Sequence, residues 1–190
     1  MLPDGEEQTK SRHVGSFSDF LESVEETEDK DEILNLLAEK LSEVLSPALF
    51  AVWSFDEATA GLTPHEYFST GVIDNPEKAL RETEDIAWEA YSQGSVYRRS
   101  DASFPETVPD TVSVCFSVAV GSQGVLTAFF SSDDEPTEDE KELTRSAASV
   151  VSLRLEASES QKVAKENEEM LDEYMERADE LEEMIETIRG

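Results

Sequence analysis

The chain has 190 residues, with 45 Asp+Glu against 15 Lys+Arg and a formal net charge of −30 at pH 7. That length holds one ordinary domain plus one extended element. The charge excludes direct nucleic-acid contact, since Arg98–Arg99 is the one adjacent basic pair; the lone Cys115 excludes an internal disulfide framework, and no stretch approaches the roughly 18 apolar residues of a membrane span.

Residues 1–15 are polar, without period and without the apolar run of a secretion signal, so disorder is expected there. From Phe17 a short amphipathic helix is predicted, with Phe17, Phe20, Leu21 and Val24 on one face. Asp29 is placed to cap a second helix, with Glu32 at the reciprocal position. Its apolar set is Ile33, Leu34, Leu37, Leu41, Val44 and Leu45, and Ser46-Pro47 ends it. Ala48–Phe55 is almost entirely apolar and reads as a central strand covered on both faces. After a polar turn, Asp56–Gly61, the returning strand Leu62–Ser69 contains Pro64, which suits an edge or a bulge.

Gly71–Pro76 is a loop in which Asn75-Pro76 suits a helix start. Thr83–Gln93 reads as a helix closed by Gly94, and Val96–Arg98 as a short strand. Two prolines make Ser100–Pro109 a loop. Thr111–Val120 and Val125–Ser131 are strong strands joined by Gly121-Ser122-Gln123-Gly124, a hairpin signal. On the first of them Val112, Val114, Phe116, Val118 and Val120 share one face, assigned to the main core. Thr111, Ser113, Cys115, Ser117 and Ala119 share the other, a floor of small, weakly polar groups.

Pro136-Thr137 opens the last helix, where Thr137 and Glu140 form a capping box. No Gly or Pro interrupts 137–189. Apolar positions recur at alternating steps of three and four from Val150 to Ile188, about 58 Å of helix. This narrow seam predicts a coiled coil. Val150, Val151, Leu153 and Leu155 are expected to pack back on the domain. Beyond Glu156 the helix is expected to pair with a second copy, in parallel, through Leu171, Tyr174, Leu181, Ile185 and Ile188, with Asn167 setting register. The organisation expected is therefore a free N-terminus over 1–15, a domain over 16–155 and a stalk over 156–190.

The order helix, helix, strand, strand, helix, short strand, strand, strand, helix resembles the GAF domain family. The resemblance is carried by the passage Leu41–Phe55, by WEAYSQGSVYRRSD, and by VLTAFFSSDDEPTEDEKEL, spanning about Asp29–Leu155. It implies an α+β fold related to PAS domains. In that plan the antiparallel sheet carries the terminal helices on one face and a ligand pocket under loops on the other. Tyr67, Trp88, Tyr91, Arg98 and Arg99 then lie in segments covering the floor of Ser113, Cys115 and Ser117.

Signals for catalysis are scarce. His13, His65 and Cys115 cannot build a four-ligand structural zinc site, and no phosphate loop or nucleophile elbow is present. GAF-like proteins that reduce free methionine sulfoxide work through several cysteines, and Cys115 stands alone. No cyclic-nucleotide, bilin or haem signature transfers, so the cofactor is unknown and the sequence requires none. The acid-rich, cysteine-poor composition resembles cytoplasmic proteins of salt-loving archaea. The expected function is a non-catalytic sensory or regulatory module that dimerises through its stalk. Its output would be a kinase or transcription regulator, by likeness to GAF-bearing archaeal histidine kinases and regulators of the bacterio-opsin activator type. The alternative is an inert scaffold or adaptor whose stalk docks a partner.

Overall fold

The computed structural model describes residues 18–99 and 104–189, with the side chains of 174 and 176–189 outside that description. The chain divides into two compact units between Arg154 and Leu155. In the first, the elements are α1 (18–26), α2 (Lys30–Leu45), β1 (Leu49–Asp56), β2 (Gly61–Ser69), α3 (Pro76–Glu82), α4 (Glu84–Gln93), β3 (Ser95–Arg99), β4 (Val112–Val120) and β5 (Gly124–Ser131). The last helix, α5 (Glu138–Arg189), contributes to both units.

Local chemistry sets most of the boundaries. The Asp29 carboxylate accepts the Glu32 N–H and starts α2. Ser46, left-handed at φ 48°, ends it just before Pro47. Asn75 caps α3 by accepting the Lys78 N–H, with Pro76 in the first turn. The helix expected over Thr83–Gln93 is thus preceded by a separate one. Buried Thr83 divides them by donating its hydroxyl to the Ala79 and Leu80 carbonyls. Gly94, at φ 89°, closes α4 in a region that side chains rarely adopt. At α5 the box is complete: Glu140 N–H donates to the Thr137 hydroxyl, and the Thr137 N–H and hydroxyl both donate to Glu140.

The five strands form one antiparallel sheet in the order β2-β1-β5-β4-β3. β2 is an edge strand, and its register shifts beside Pro64, which pairs with Trp53 while His65 is skipped, the kind of bulged edge position that tolerates a residue without an N–H. β1 is interior, between β2 and β5. The β4–β5 hairpin closes on Gly124, where a Cβ would stand 1.9 Å from the Trp53 carbonyl oxygen. Glycine there lets β5 approach β1.

The sheet is buried on both faces. On one, Leu49, Ala51, Trp53, Leu62, Val112, Cys115, Val125 and Phe129 pack with Ala79, Leu80, Ile86, Ala87 and Ala90 of α3 and α4. The other carries Phe50, Val52, Phe116, Leu126, Ala128 and Phe130, all buried. Here Arg145 of α5 lies over the Phe116 ring at 5.5 Å. The Arg154 guanidinium donates to the carbonyls of Val24, Glu25 and Thr27, closing the end of α1.

Two placements differ from expectation. The β4 register shifts between Val112 and Val114, so Val112 joins Cys115 in one cluster while Ser113 leaves it. Along α5, Val151 is buried, but Val150 and Leu153 are 38% and 66% exposed. Helical phase explains this, since Ala147, Ala148 and Val151 already occupy the side turned to the domain.

Candidate functional site

The face between the sheet and α3–α4 gathers most of the site residues expected from sequence, though as an enclosed cluster. Cys115 and Ser117 have no exposed surface, and neither does Thr127 of the paired strand. The Ser117 hydroxyl donates to Thr127 Oγ1 at 2.9 Å, and Cys115 Sγ stands 3.9 Å from Ser117 Oγ. Val125, Thr127 and Phe129 alternate onto this same side, as do Ala51, Trp53 and Phe55 of β1.

Within that cluster the Trp53 indole N–H is buried and has no hydrogen-bond partner. A buried donor left unsatisfied costs about 1–3 kcal/mol, so among the described residues of this face the Trp53 indole N–H calls for an acceptor. Trp53 is not among the site residues expected from the sequence. Its signal was its parity on β1, which points an obligate donor toward the same side as Ala51 and Phe55.

Trp88 and Tyr91 meet Phe55 at the rim. Phe55 stacks on Tyr91 at 5.1 Å, and Trp88 stands edge-on to both rings. The Tyr91 hydroxyl donates to the Ser122 carbonyl in the hairpin turn, and the Trp88 indole donates to Glu84. Tyr67 is not part of this group. It pairs with Ala51 toward the other end of β1, four residues or about 13 Å from Phe55, and is 39% exposed. His65 sits at the β2 register shift, 4.0 Å from Asp31.

Arg98 faces α4, where it bonds Asp85 at 3.1 Å and Glu89. Burial opposes its charge, but these two carboxylates outweigh that and raise its pKa. Its neighbours on β3 point the other way. The Arg99 guanidinium and the Tyr97 hydroxyl both donate to Glu135, at 2.9 Å and 3.3 Å. Ser113 joins them, donating to the same carboxylate at 3.4 Å. Lys141 of α5, nearly buried, lies 4.4 Å over the Tyr97 ring and pairs with Glu138. β3 therefore ties α4 on one face of the sheet to the start of α5 on the other. Glu135 carries no distinguishing signal in so acidic a sequence.

Burial pushes the Cys115 thiol up to about 12, with the Ser117 contact acting in the opposite direction. At neutral pH it is a protonated core residue and no nucleophile. The unfolded thiol ionises near 9.0, so between those pH values the unfolded state has released a proton that the native state keeps, and stability falls as pH rises. Compared with Cys115→Ala, the wild type is expected to lose an extra 1 kcal/mol or so by about pH 10, read from denaturant midpoints. A difference that stays constant across that window would mean the thiol titrates freely.

Among the described residues no group of three His, Cys, Asp or Glu could hold a metal ion, and no helix is long and apolar enough to cross a membrane. No protein-family model and no curated protein matches the sequence. Solved structures do match. A cyanobacteriochrome TePixJ GAF domain is similar at 24% identity and TM-score 0.52, over 72% of this chain and 94% of that one. The GAF domain of a putative sensor histidine kinase from Pseudomonas syringae pv. tomato gives 8% identity and TM-score 0.61, over 85% and 97%. Free methionine-R-sulfoxide reductase from Neisseria meningitidis gives 16% and 0.59, over 78% and 91%. The chain has the GAF fold. In this GAF fold the terminal helices cover one face of the sheet, as the resemblance implied, and α3 and α4 close the other, where a pocket under loops was expected.

Proposed function

We propose that the chain is a non-catalytic sensory or regulatory GAF module of a salt-adapted archaeal cytoplasm. It dimerises through the C-terminal part of α5 and relays a signal to an output partner, a kinase or a transcription regulator. The observation that carries this reading is β3. Arg98 holds Asp85 and Glu89 of α4, while Tyr97 and Arg99 hold Glu135 ahead of α5. A change on the α4 side, such as binding of a small molecule over Cys115 and Ser117, has a direct mechanical route to the last helix. The unpaired Trp53 donor supports an acceptor-bearing ligand on that side. Cys115, without solvent access and protonated at neutral pH, argues against the chemistry named for the Neisseria reductase.

The second reading is an inert domain that serves as a scaffold. It is favoured by the complete enclosure of Cys115 and Ser117. Native mass spectrometry of the purified protein separates the two, since a sensor retains or accepts a small molecule and a scaffold does not.

Pairing is tested by Leu181→Asp. Of the five residues expected to pair, Leu171 is exposed, and the side chains of Tyr174, Leu181, Ile185 and Ile188 lie outside the described residues. One buried Leu is worth about 1.5–3 kcal/mol per chain. The variant is therefore expected to be monomeric by light scattering in molar KCl, with the domain's circular dichroism retained. A wild type that is monomeric at high concentration would make the seam a dock for another protein's helix.

A further inference from the structure

Trp53 lies on the face that α3 and α4 cover. It is 1% exposed, and its indole N–H has no acceptor among the described residues. Strand pairing fixes what surrounds it. Ala51, Thr127 and Ser117 form one cross-strand row, and Trp53 with Val125 lies in the next, about 7 Å along the strands. Phe55 follows on the same side of β1, where it meets Tyr91 and Trp88. The donor therefore stands between a row of small side chains and a half-buried aromatic rim.

We propose that this face admits a small neutral carbonyl compound, with its oxygen on the Trp53 indole N–H and its apolar body against Phe55, Trp88 and Tyr91. The inference rests on the sensory reading above and deepens it, because it names the chemical class of the ligand and the atom that anchors it.

The chemistry of the face selects that class. Its buried hydroxyls are committed elsewhere: Ser117 donates to Thr127, and Thr83 donates to the Ala79 and Leu80 carbonyls. No Asp or Glu among the described residues is buried. A cation, or a guest rich in N–H and O–H groups, would find no carboxylate there to receive it. An anion fares no better. Arg98, the cation at the margin, already bonds Asp85 and Glu89, and the net charge of −30 adds repulsion. What fits is an apolar body among side chains such as Leu62, Ile86, Val125 and Phe129, carrying one oxygen that accepts from the indole. Binding then removes the cost of an unpaired buried donor, which a hydrocarbon of the same shape cannot do. The rim that must part is held by exposed side-chain bonds, from Trp88 to Glu84 and from Tyr91 to the Ser122 carbonyl.

The test follows the indole protons of the full chain by heteronuclear NMR in molar KCl. The protein has two tryptophans, so Trp88→Phe assigns both signals. Acetophenone is the probe, α-methylstyrene its isostere with carbon in place of the oxygen, and benzoate its charged relative. Acetophenone is expected to move the Trp53 indole proton downfield saturably and to bind about tenfold more tightly than α-methylstyrene, while benzoate leaves the signal in place. Trp53→Phe, which keeps a ring and removes the donor, is expected to bind the two neutral probes equally. If that variant does not fold, the wild-type titrations decide alone. Equal affinity of the wild type for acetophenone and α-methylstyrene overturns the inference, as does a saturable benzoate shift. An indole that acetophenone does not move also overturns it. So does one that resonates as hydrogen-bonded in ligand-free protein, since buried water then satisfies it. Native mass spectrometry separates this failure from failure of the sensory reading. A charged retained molecule overturns the class and leaves a sensor standing, whereas a bare protein with an unmoved indole overturns both.

Discussion

Transferred from molar KCl to about 0.1 M salt, the protein is expected to lose its structure, and to regain it when the salt is restored. Its net charge is −30, spread over every segment and not confined to one tail. The ion pairs that offset it are mostly exposed and within single helices, as in Lys40–Glu43, Lys78–Glu82, Arg81–Glu77 and Lys165–Glu169. Each is worth about 0–1 kcal/mol, which cannot balance repulsion among so many carboxylates. The screening length is about 10 Å at 0.1 M and about 3 Å at 1 M, so molar salt confines each charge to its nearest neighbours. Circular dichroism melts across a KCl series check this. A melting temperature that does not move with salt would remove the basis for placing the protein in a salt-rich cytoplasm.

Ser117→Phe is expected to destabilise the domain by about 2–5 kcal/mol. From sequence alone the substitution looks mild, a ring filling the floor of a cavity. In the folded domain Ser117 has no exposed surface, bonds Thr127 across the β4–β5 ladder, and shares its face with Cys115 beneath α4. A phenyl ring there overpacks the core and strands the Thr127 hydroxyl. Ser117→Ala, which removes the bond without adding volume, should cost only about 1 kcal/mol. Urea midpoints in molar KCl measure both. A Phe variant as stable as wild type would mean that the face opens readily, which favours the ligand-binding reading over the scaffold.

The order and type of nearly every element were legible in the residues, because their determinants are local. Asp29, Asn75-Pro76, Gly94 and the Thr137–Glu140 box act within four residues of themselves, and each forms the bond its spacing allows. Pro64 likewise announced an edge and a bulge, since a residue without an N–H cannot serve a central ladder. Alternation along Thr111–Val120 separated Cys115 and Ser117 from Phe116 and Val118 correctly. What it could not contain was the register shift at Ser113, which arises between two strands and sends Ser113 to Glu135.

The same division holds for the site and the last helix. Trp88 and Tyr91 share a helix face by spacing, but that they close on Phe55, and that Tyr67 stands apart, depends on which strands pair. The Asp85–Arg98–Glu89 and Arg99–Glu135 ties join segments 9 to 36 residues apart. No local signal marks one acid among 45 as the partner. The seam of α5 is written in its heptads, whereas the side of α5 that meets the domain was decided by the sheet. With Ala147, Ala148 and Val151 turned inward, helical geometry leaves Val150 and Leu153 facing out, because one helix cannot bury both sides against one sheet.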